Sequence, residues 1–144
     1  VCSGESQTEY LEAYNDKNHL MDPNILRRMD RANDVLAVEY NLLLNIRENL
    51  IKEFNNFLKN NFLLLPTVTI YPPLLEDCKD EPYYDEVNLI SLRNTTLANY
   101  MNGCSISLPY SKDDKPIGIM LNGTTKSDEK LLGISAKIEC VLSK

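Results

Sequence analysis

Ser127 and Lys130 have the spacing of a catalytic motif. In S-x-x-K sites, a serine at the start of a helix becomes a nucleophile because a lysine one turn later activates it. The N-cap of a helix explains the same serine equally well, since a hydroxyl oxygen can accept a hydrogen bond from a free backbone N–H. The companion motifs of S-x-x-K enzymes are absent, so the cap is the preferred interpretation.

Few other groups suggest chemistry, because the sequence has no nucleophile elbow, no phosphate-binding glycine loop and a single histidine, His19. A lone histidine is a poor candidate for a catalytic base, and we predict a surface or half-buried position for it. One group of carboxylates could hold a cation through oxygen ligands, although its spacing is irregular. The group comprises Glu76, Asp77, Asp80, Glu81, Asp85 and Glu86. A solvated loop is the preferred interpretation, so no metal ligand, catalytic residue or cofactor is predicted.

The cysteines indicate the redox environment. Cys2, Cys78, Cys104 and Cys140 lie far apart and form no C-x-x-C pair. This pattern argues against a zinc site and against a disulfide scaffold, and it favours reduced thiols in a cytoplasmic protein. Two N-x-T triplets, Asn94-Thr95-Thr96 and Asn122-Gly123-Thr124, point weakly toward a secreted protein instead.

Composition narrows the function classes. With 144 residues, 43% of them hydrophobic and 25% charged, the chain is expected to be globular, as one domain or as part of a larger one. The formal charge of −6 repels phosphate backbones, so nucleic acid is not an expected partner. No run of 18 apolar residues occurs, so no membrane span is expected. The first residue is Val1, without features of a signal peptide, which suggests a chain that begins within a longer protein.

Apolar periodicity predicts two long helices that would position these groups. Over 36–60, apolar side chains recur at three- and four-residue steps and form one face of an amphipathic helix. Residues 127–142 show a similar face after the capping serine. Weaker signals predict further helices over 5–20, over 23–31 after Asp22-Pro23, and over 87–102.

Three short apolar segments predict strands. The run at 62–66 ends at a proline and is typical of a buried strand in a sheet covered on both faces. Segments 105–109 and 117–121 flank a polar turn at 112–116 and predict a hairpin. The prolines of 66–86 predict a long loop. The predicted fold class is α/β, with a partial mixed sheet of about three strands flanked by long helices.

Four passages occur in an order that matches a known family. Residues 62–67 are similar to D-x-L-L-x-P-T, and residues 94–109 resemble T-x-x-x-N-x-x-G-x-P-A-I-S-V-P. Residues 116–123 resemble P-I-G-L-Q-L-I-G, and residues 127–132 resemble the D-E-x-x-L-L start of a final helix. Upstream, the stretch from Leu20 to Tyr40 is similar to DP-x-x-R-x-R-x-x-x-G…Y. Over about residues 10–142, the sequence therefore resembles the C-terminal part of the amidase signature family.

This resemblance implies an activity and its limits. It implies that residues 1–144 form the C-terminal segment of an amidase-type domain that hydrolyses amide C–N bonds. Family members carry a serine nucleophile, a cis-bonded second serine and a lysine in an upstream Gly/Ser-rich segment, and no such segment occurs here. We therefore expect the chain alone to be inactive and to associate with an N-terminal amidase region or with itself. Residues 93–99 favour allophanate hydrolases and small-amide amidases over the tRNA amidotransferases.

Thr67, Asn94, Thr95 and Asn99 are the candidate substrate-binding residues. They lie at predicted loop ends, where polar side chains can orient a small amide. Local capping and turn formation remain the alternative for the three residues between 94 and 99. A second hypothesis for the whole chain is a non-catalytic protein interaction module derived from the amidase fold, with an exposed strand edge and apolar helix faces.

Overall fold

The computed structural model describes residues 2–112 and 115–142. The chain forms two compact units, Val1–Asn49 and Leu50–Lys144. The division between them falls within the longest helix, α4 (Ala37–Leu58). This helix confirms the prediction over 36–60, and it ends where Lys59 adopts a left-handed conformation with φ of 51°.

The first unit is helical. Before α4 it contains α1 (Cys2–Glu9), α2 (Leu11–Asp16) and α3 (Pro23–Asp30). The predicted helix over 5–20 is therefore divided into α1, α2 and a 3₁₀ turn, Asn18–Leu20.

The start of α3 follows from its local sequence. The side chain of Asp22 accepts a hydrogen bond from the backbone N–H of Asn24 at 2.8 Å, and Pro23 occupies the first turn. Toward the end of this short helix, Met29 is buried, and α3 packs against α1. The predicted helix over 23–31 is confirmed.

The second unit contains a three-stranded sheet of β1 (Leu63–Pro66), β2 (Cys104–Lys112) and β3 (Lys115–Gly123). The strand order is β1-β3-β2, and both pairings are antiparallel. The α/β class, the three strands and the hairpin are confirmed. The sheet was expected to be mixed, but the described strands are antiparallel throughout. Strand β3 is antiparallel to β2 because a hairpin connects them, and β1 pairs antiparallel with the other side of β3.

One face of this sheet forms the core with α7 (Asp128–Leu142), which confirms the helix predicted over 127–142. The core consists of the buried side chains of Leu108, Leu121 and Leu131. Because side chains alternate along a strand, the register that pairs Ile106 with Leu121 brings the apolar positions of both strands to this face.

The predicted loop over 66–86 ends earlier than expected. Helix α5 (Glu81–Leu92) begins inside it, because Asp80 accepts a hydrogen bond from the N–H of Tyr83 at 3.1 Å and Pro82 lies in the first turn. A short helix, α6 (Thr95–Tyr100), follows. The three later carboxylates of the acidic group therefore lie on a helix rather than in a loop.

The sequence predicted that β1 is covered on both faces, and this prediction is wrong for the chain as it stands. It lies at an edge of the sheet, and 56% of the Leu64 surface is exposed within this chain, while Leu63 and Leu65 are half-buried. An apolar run alone does not distinguish a central strand from an edge strand, since both can be hydrophobic. Within the described residues, no helix is long and apolar enough to cross a membrane.

Candidate functional site

The end of β1 is attached to both other strands through Thr67. Its backbone N–H donates to the carbonyl of Gly118 at 2.7 Å, and its hydroxyl oxygen lies 2.5 Å from that of Ser107. These two side chains meet because Gly118 has none. A Cβ added there would lie 2.5 Å from Thr67 Oγ1 and 2.7 Å from Ser107 Oγ.

Asn94, in the segment between α5 and α6, contacts the same end of β1. Its Nδ2 donates to the carbonyl oxygen of Pro66 at 2.7 Å. Two of the four predicted site residues, Thr67 and Asn94, are thus brought together at the end of β1. Thr95 donates its hydroxyl to the carbonyl of Leu92 at 3.2 Å, which is a local contact, and Asn99 is exposed in the second half of α6.

A cavity of about 860 Å³ lies directly beside this point. Its wall combines the proline-rich segment after β1, one residue of α5 and the adjoining ends of β2 and β3. The lining residues are Pro66, Val68, Thr69, Ile70, Tyr71, Pro72, Pro73, Ser91, Pro109, Tyr110, Pro116, Ile117 and Gly118. None of the four predicted residues lines it. Thr67 and Asn94 instead hydrogen-bond to Gly118 and Pro66, which do, so they position the wall.

The described lining of the cavity is mainly apolar and contains no charged residue. The hydroxyl oxygen of Thr69 is buried and has no hydrogen-bond partner in the described part of the chain. Near the cavity, Lys115 Nζ lies 4.7 Å from the centroid of the Tyr71 ring, a cation–π distance. Sequence reasoning missed this wall, although its proline content marked the segment as unusual.

Ser127 and Lys130 are not hydrogen-bonded to each other in the described part of the chain. The Ser127 hydroxyl donates to the carbonyl of Thr124 at 2.8 Å and lies 3.0 Å from the thiol of Cys104. Its carbonyl accepts the N–H of Leu131, so it occupies the N-cap position, but its hydroxyl is bonded to the preceding turn rather than to helix N–H groups. Lys130 is exposed.

The remaining candidate groups are dispersed. His19 is exposed in a 3₁₀ turn. Among the described residues, no group of three or more His, Cys, Asp or Glu is placed to hold a metal ion. Cys78, Cys104 and Cys140 are free thiols. The second N-x-T triplet is inaccessible in the folded chain, because Asn122 is completely buried.

Comparison with known proteins identifies the family. The model of the Amidase family matches residues 4–132, which is most of the chain. The chain belongs to the amidase family. Three of the passages that carried the resemblance form most of the sheet: residues 62–67 contain β1, residues 94–109 include the first six residues of β2, and residues 116–123 include all of β3 except its first residue.

The relatives of this chain include enzymes of different names. It is 29% identical over 128 residues to 2-amino-5-chloromuconic acid deaminase of Comamonas testosteroni, covering 85% of this chain and 27% of that protein. It is 28% identical to the A-type subunit of glutamyl-tRNA(Gln) amidotransferase from Borreliella burgdorferi, covering 96% of this chain and 31% of the relative. The chain thus spans about a third or less of the length of the curated relatives that it matches.

Solved structures share the fold. Allophanate hydrolase of Kluyveromyces lactis superposes with a TM-score of 0.70 at 23% identity, covering 90% of this chain and 21% of that one. A crystal structure described as an amidase gives a TM-score of 0.74 at 18% identity, covering 97% of this chain and 33% of that one. At these identities, the similarity shows the fold alone.

Proposed function

We propose that this chain supplies one wall of the substrate pocket in an enzyme that hydrolyses amide C–N bonds. Family membership and relatives named as a deaminase and as part of an amidotransferase support this class of reaction. The observation that carries the proposal is the cavity of about 860 Å³ beside the Pro66-Thr67 turn. Its volume is within the roughly 300–1,000 Å³ range of small-molecule sites.

The proposed pocket wall is built to hold its shape. The hydrogen bonds of Thr67 to β3 and of Asn94 to Pro66 attach both the strand end and the first residue of the proline-rich segment. Prolines restrict the backbone dihedral φ, so Pro72 and Pro73 further limit the motion of this segment. A preformed wall reduces the entropy that is lost when a substrate binds. In this proposal Thr67 and Asn94 are positioning residues, whereas Thr95 and Asn99 do not line the cavity and stay predictions from the sequence resemblance.

The nucleophile is proposed to come from another part of the enzyme. Amide hydrolysis needs an activated nucleophile, a proton shuttle and oxyanion donors held together. Ser127 is engaged by Thr124 and Cys104, and His19 is exposed in the other unit. The chain spans 27% of the Comamonas deaminase, so an enzyme of that length has ample sequence outside the matched region to supply these groups. We therefore propose the role of a C-terminal amidase segment.

Ammonia release tests this function. The 144-residue chain would be purified alone and also co-expressed with the region of the Comamonas deaminase that the match leaves uncovered, and both preparations assayed with a panel of amides. We expect no ammonia from the chain alone and ammonia from the combination, with activity retained in Ser127→Ala and Lys130→Ala. Ammonia production by the chain alone that Ser127→Ala abolishes would instead establish the S-x-x-K interpretation.

An interaction module is the second candidate, and exposed apolar side chains favour it. Within this chain, 87% of Leu75, 70% of Leu74 and 74% of Phe57 are exposed. Such surface is normally covered by a partner, which here is the rest of an amidase domain or a second copy. Formation of a stable complex that releases no ammonia from any amide in the panel would favour this candidate.

A cytoplasmic location is part of the same proposal. Cys78, Cys104 and Cys140 are unpaired thiols, which suits a reducing compartment. The completely buried Asn122 removes one of the two triplets that pointed toward secretion.

A further inference from the structure

The composition of the cavity wall indicates which amides it would accept. Resting on the proposed function, we infer that this cavity selects amides whose acyl group is flat and apolar, such as an aromatic ring system, over small polar amides. This substrate class is larger and less polar than the small amides suggested by the sequence resemblance.

Shape and apolar surface favour such an acyl group. Tyr71 and Tyr110 both line the cavity, one from the proline-rich segment and one from β2, together with five prolines and three aliphatic side chains. Aromatic rings in a ligand gain from burial and from edge or offset stacking against tyrosine. Acetamide is too small to use most of a volume of about 860 Å³, so it would leave much of the apolar wall in contact with water.

The same cavity disfavours a positively charged acyl group. No charged residue is among the described residues that line it, and a cation leaving water for apolar surroundings loses its hydration without compensation. The nearby cation of Lys115 lies against the ring of Tyr71 and adds to the repulsion of a second cation. An uncharged ligand needs no counter-ion.

Thr69 supplies one polar group for the amide. Its hydroxyl oxygen is buried and has no partner within the described residues, although Thr69 belongs to the cavity wall. Buried hydroxyls are normally hydrogen-bonded, so in this inference the Thr69 side chain rotates its unpartnered hydroxyl toward the cavity to meet a donor or acceptor of the ligand. An amide carries both. The wall therefore fits an apolar body with a single polar end.

Equilibrium binding to the intact 144-residue chain tests this inference without requiring catalysis. The probes are 2-naphthamide and acetamide, titrated by calorimetry. We expect the dissociation constant of 2-naphthamide to be at least tenfold lower than that of acetamide. Tyr71→Ala and Tyr110→Ala should each weaken 2-naphthamide binding about tenfold, and Tyr71→Phe should retain it. Tyr83→Ala is the matched control, because Tyr83 and Tyr110 are both 37% exposed and Tyr83 does not line the cavity.

A second variant separates the polar contact from the fold. Thr69→Val preserves the shape of the side chain and removes the hydroxyl. It should weaken 2-naphthamide binding about fivefold while the chain keeps or increases its thermal stability. Thr8→Val, whose hydroxyl bonds to the carbonyl of Gly4 in the other unit, should leave binding unchanged.

The possible results distinguish this inference from the proposed function. Equal affinity for the two amides, no binding of 2-naphthamide, or binding that folded Tyr71→Ala and Tyr110→Ala variants retain would overturn the inference, even if the combined enzyme releases ammonia from acetamide. Selective, tyrosine-dependent binding of 2-naphthamide supports the inference even if no combination of segments releases ammonia, in which case only the proposed hydrolysis fails.

Discussion

The hydroxyl oxygens of Thr67 and Ser107 lie 2.5 Å apart, although Thr67 follows one outer strand of the sheet and Ser107 belongs to the other. Strand β3 runs between them, and Gly118 is the residue over which they meet. This contact links the end of β1 directly to β2. It therefore helps to determine where the proline-rich wall of the cavity begins.

Gly118→Ala should destabilise the chain by about 1–3 kcal/mol, the usual cost of overpacking. The new Cβ would lie 2.8 Å from Thr67 Cβ and would also overlap the hydroxyl oxygens of Thr67 and Ser107, so β1 or β3 must move. Urea unfolding followed by circular dichroism measures the change. Gly133→Ala is the matched control, because Gly133 lies in α7 and a Cβ added there would have no other atom within 4 Å. It should stabilise by about 0.5–1 kcal/mol. Equal effects of the two substitutions would contradict the close contact.

Thr67→Val and Thr69→Val should change stability in opposite directions. The first removes the hydroxyl pair with Ser107 and should cost about 1 kcal/mol. The second removes a buried hydroxyl without a partner among the described residues and should be neutral or stabilise by up to about 1 kcal/mol. Thermal unfolding of the two variants side by side measures this difference, and a loss of stability in both would show that Thr69 has a partner.

Asn94→Asp should loosen the turn after β1. It replaces the Nδ2 donor with a carboxylate oxygen facing the carbonyl of Pro66, so a 2.7 Å hydrogen bond becomes a repulsive contact. We expect a loss of about 1–3 kcal/mol and faster amide hydrogen exchange at Thr67. Asn56→Asp, at an exposed position of α4, controls for the added charge and should change stability by less than about 0.5 kcal/mol. Unaltered exchange at Thr67 in Asn94→Asp would remove the positioning role.

Alkylation should distinguish two of the free thiols. Cys140 is exposed, whereas Cys104 is half-buried and its thiol contacts Ser127 and the carbonyl of Thr124, at 3.4 Å from the latter. Reactivity requires access to the sulfur, so iodoacetamide should modify Cys140 at least about tenfold faster in the native chain. Peptide mapping by mass spectrometry gives both rates, and urea should abolish the difference. Comparable alkylation rates of the two thiols in the native chain would mean that the start of β2 opens readily.

Leu64→Lys should reduce self-association of the isolated chain. Leu64 lies on the edge strand β1 and is 56% exposed, and a charge on an edge strand opposes pairing with another strand. Leu132→Lys is a close control for exposure, at 59%, but lies on helix α7. Sedimentation velocity should show a lower mean mass only for Leu64→Lys. An equal decrease for both would indicate general hydrophobic association rather than edge pairing.

Local sequence determined most of the helices and strands of this protein. Asp22-Pro23 predicted the start of α3, and the regular apolar spacing predicted α4, because capping and periodicity depend on residues within one or two turns. The same rule applied to Asp80 and Pro82 would have found the start of α5. Apolar segments around a polar turn predicted the hairpin, and the ordered passages predicted the amidase family.

The site was decided by contacts between residues distant in sequence. Asn94 and Pro66 are 28 residues apart, Thr67 and Ser107 are 40 apart, and these contacts depend on the strand order β1-β3-β2 and its register. A shift of one residue in that register would turn the same side chains to the opposite face of the sheet. The sequence alone therefore suggested Thr67 and Asn94 as functional residues. Only the folded sheet shows that their hydrogen bonds are made within the chain and that their neighbours form the cavity wall, which is the basis of the positioning role that we propose for them.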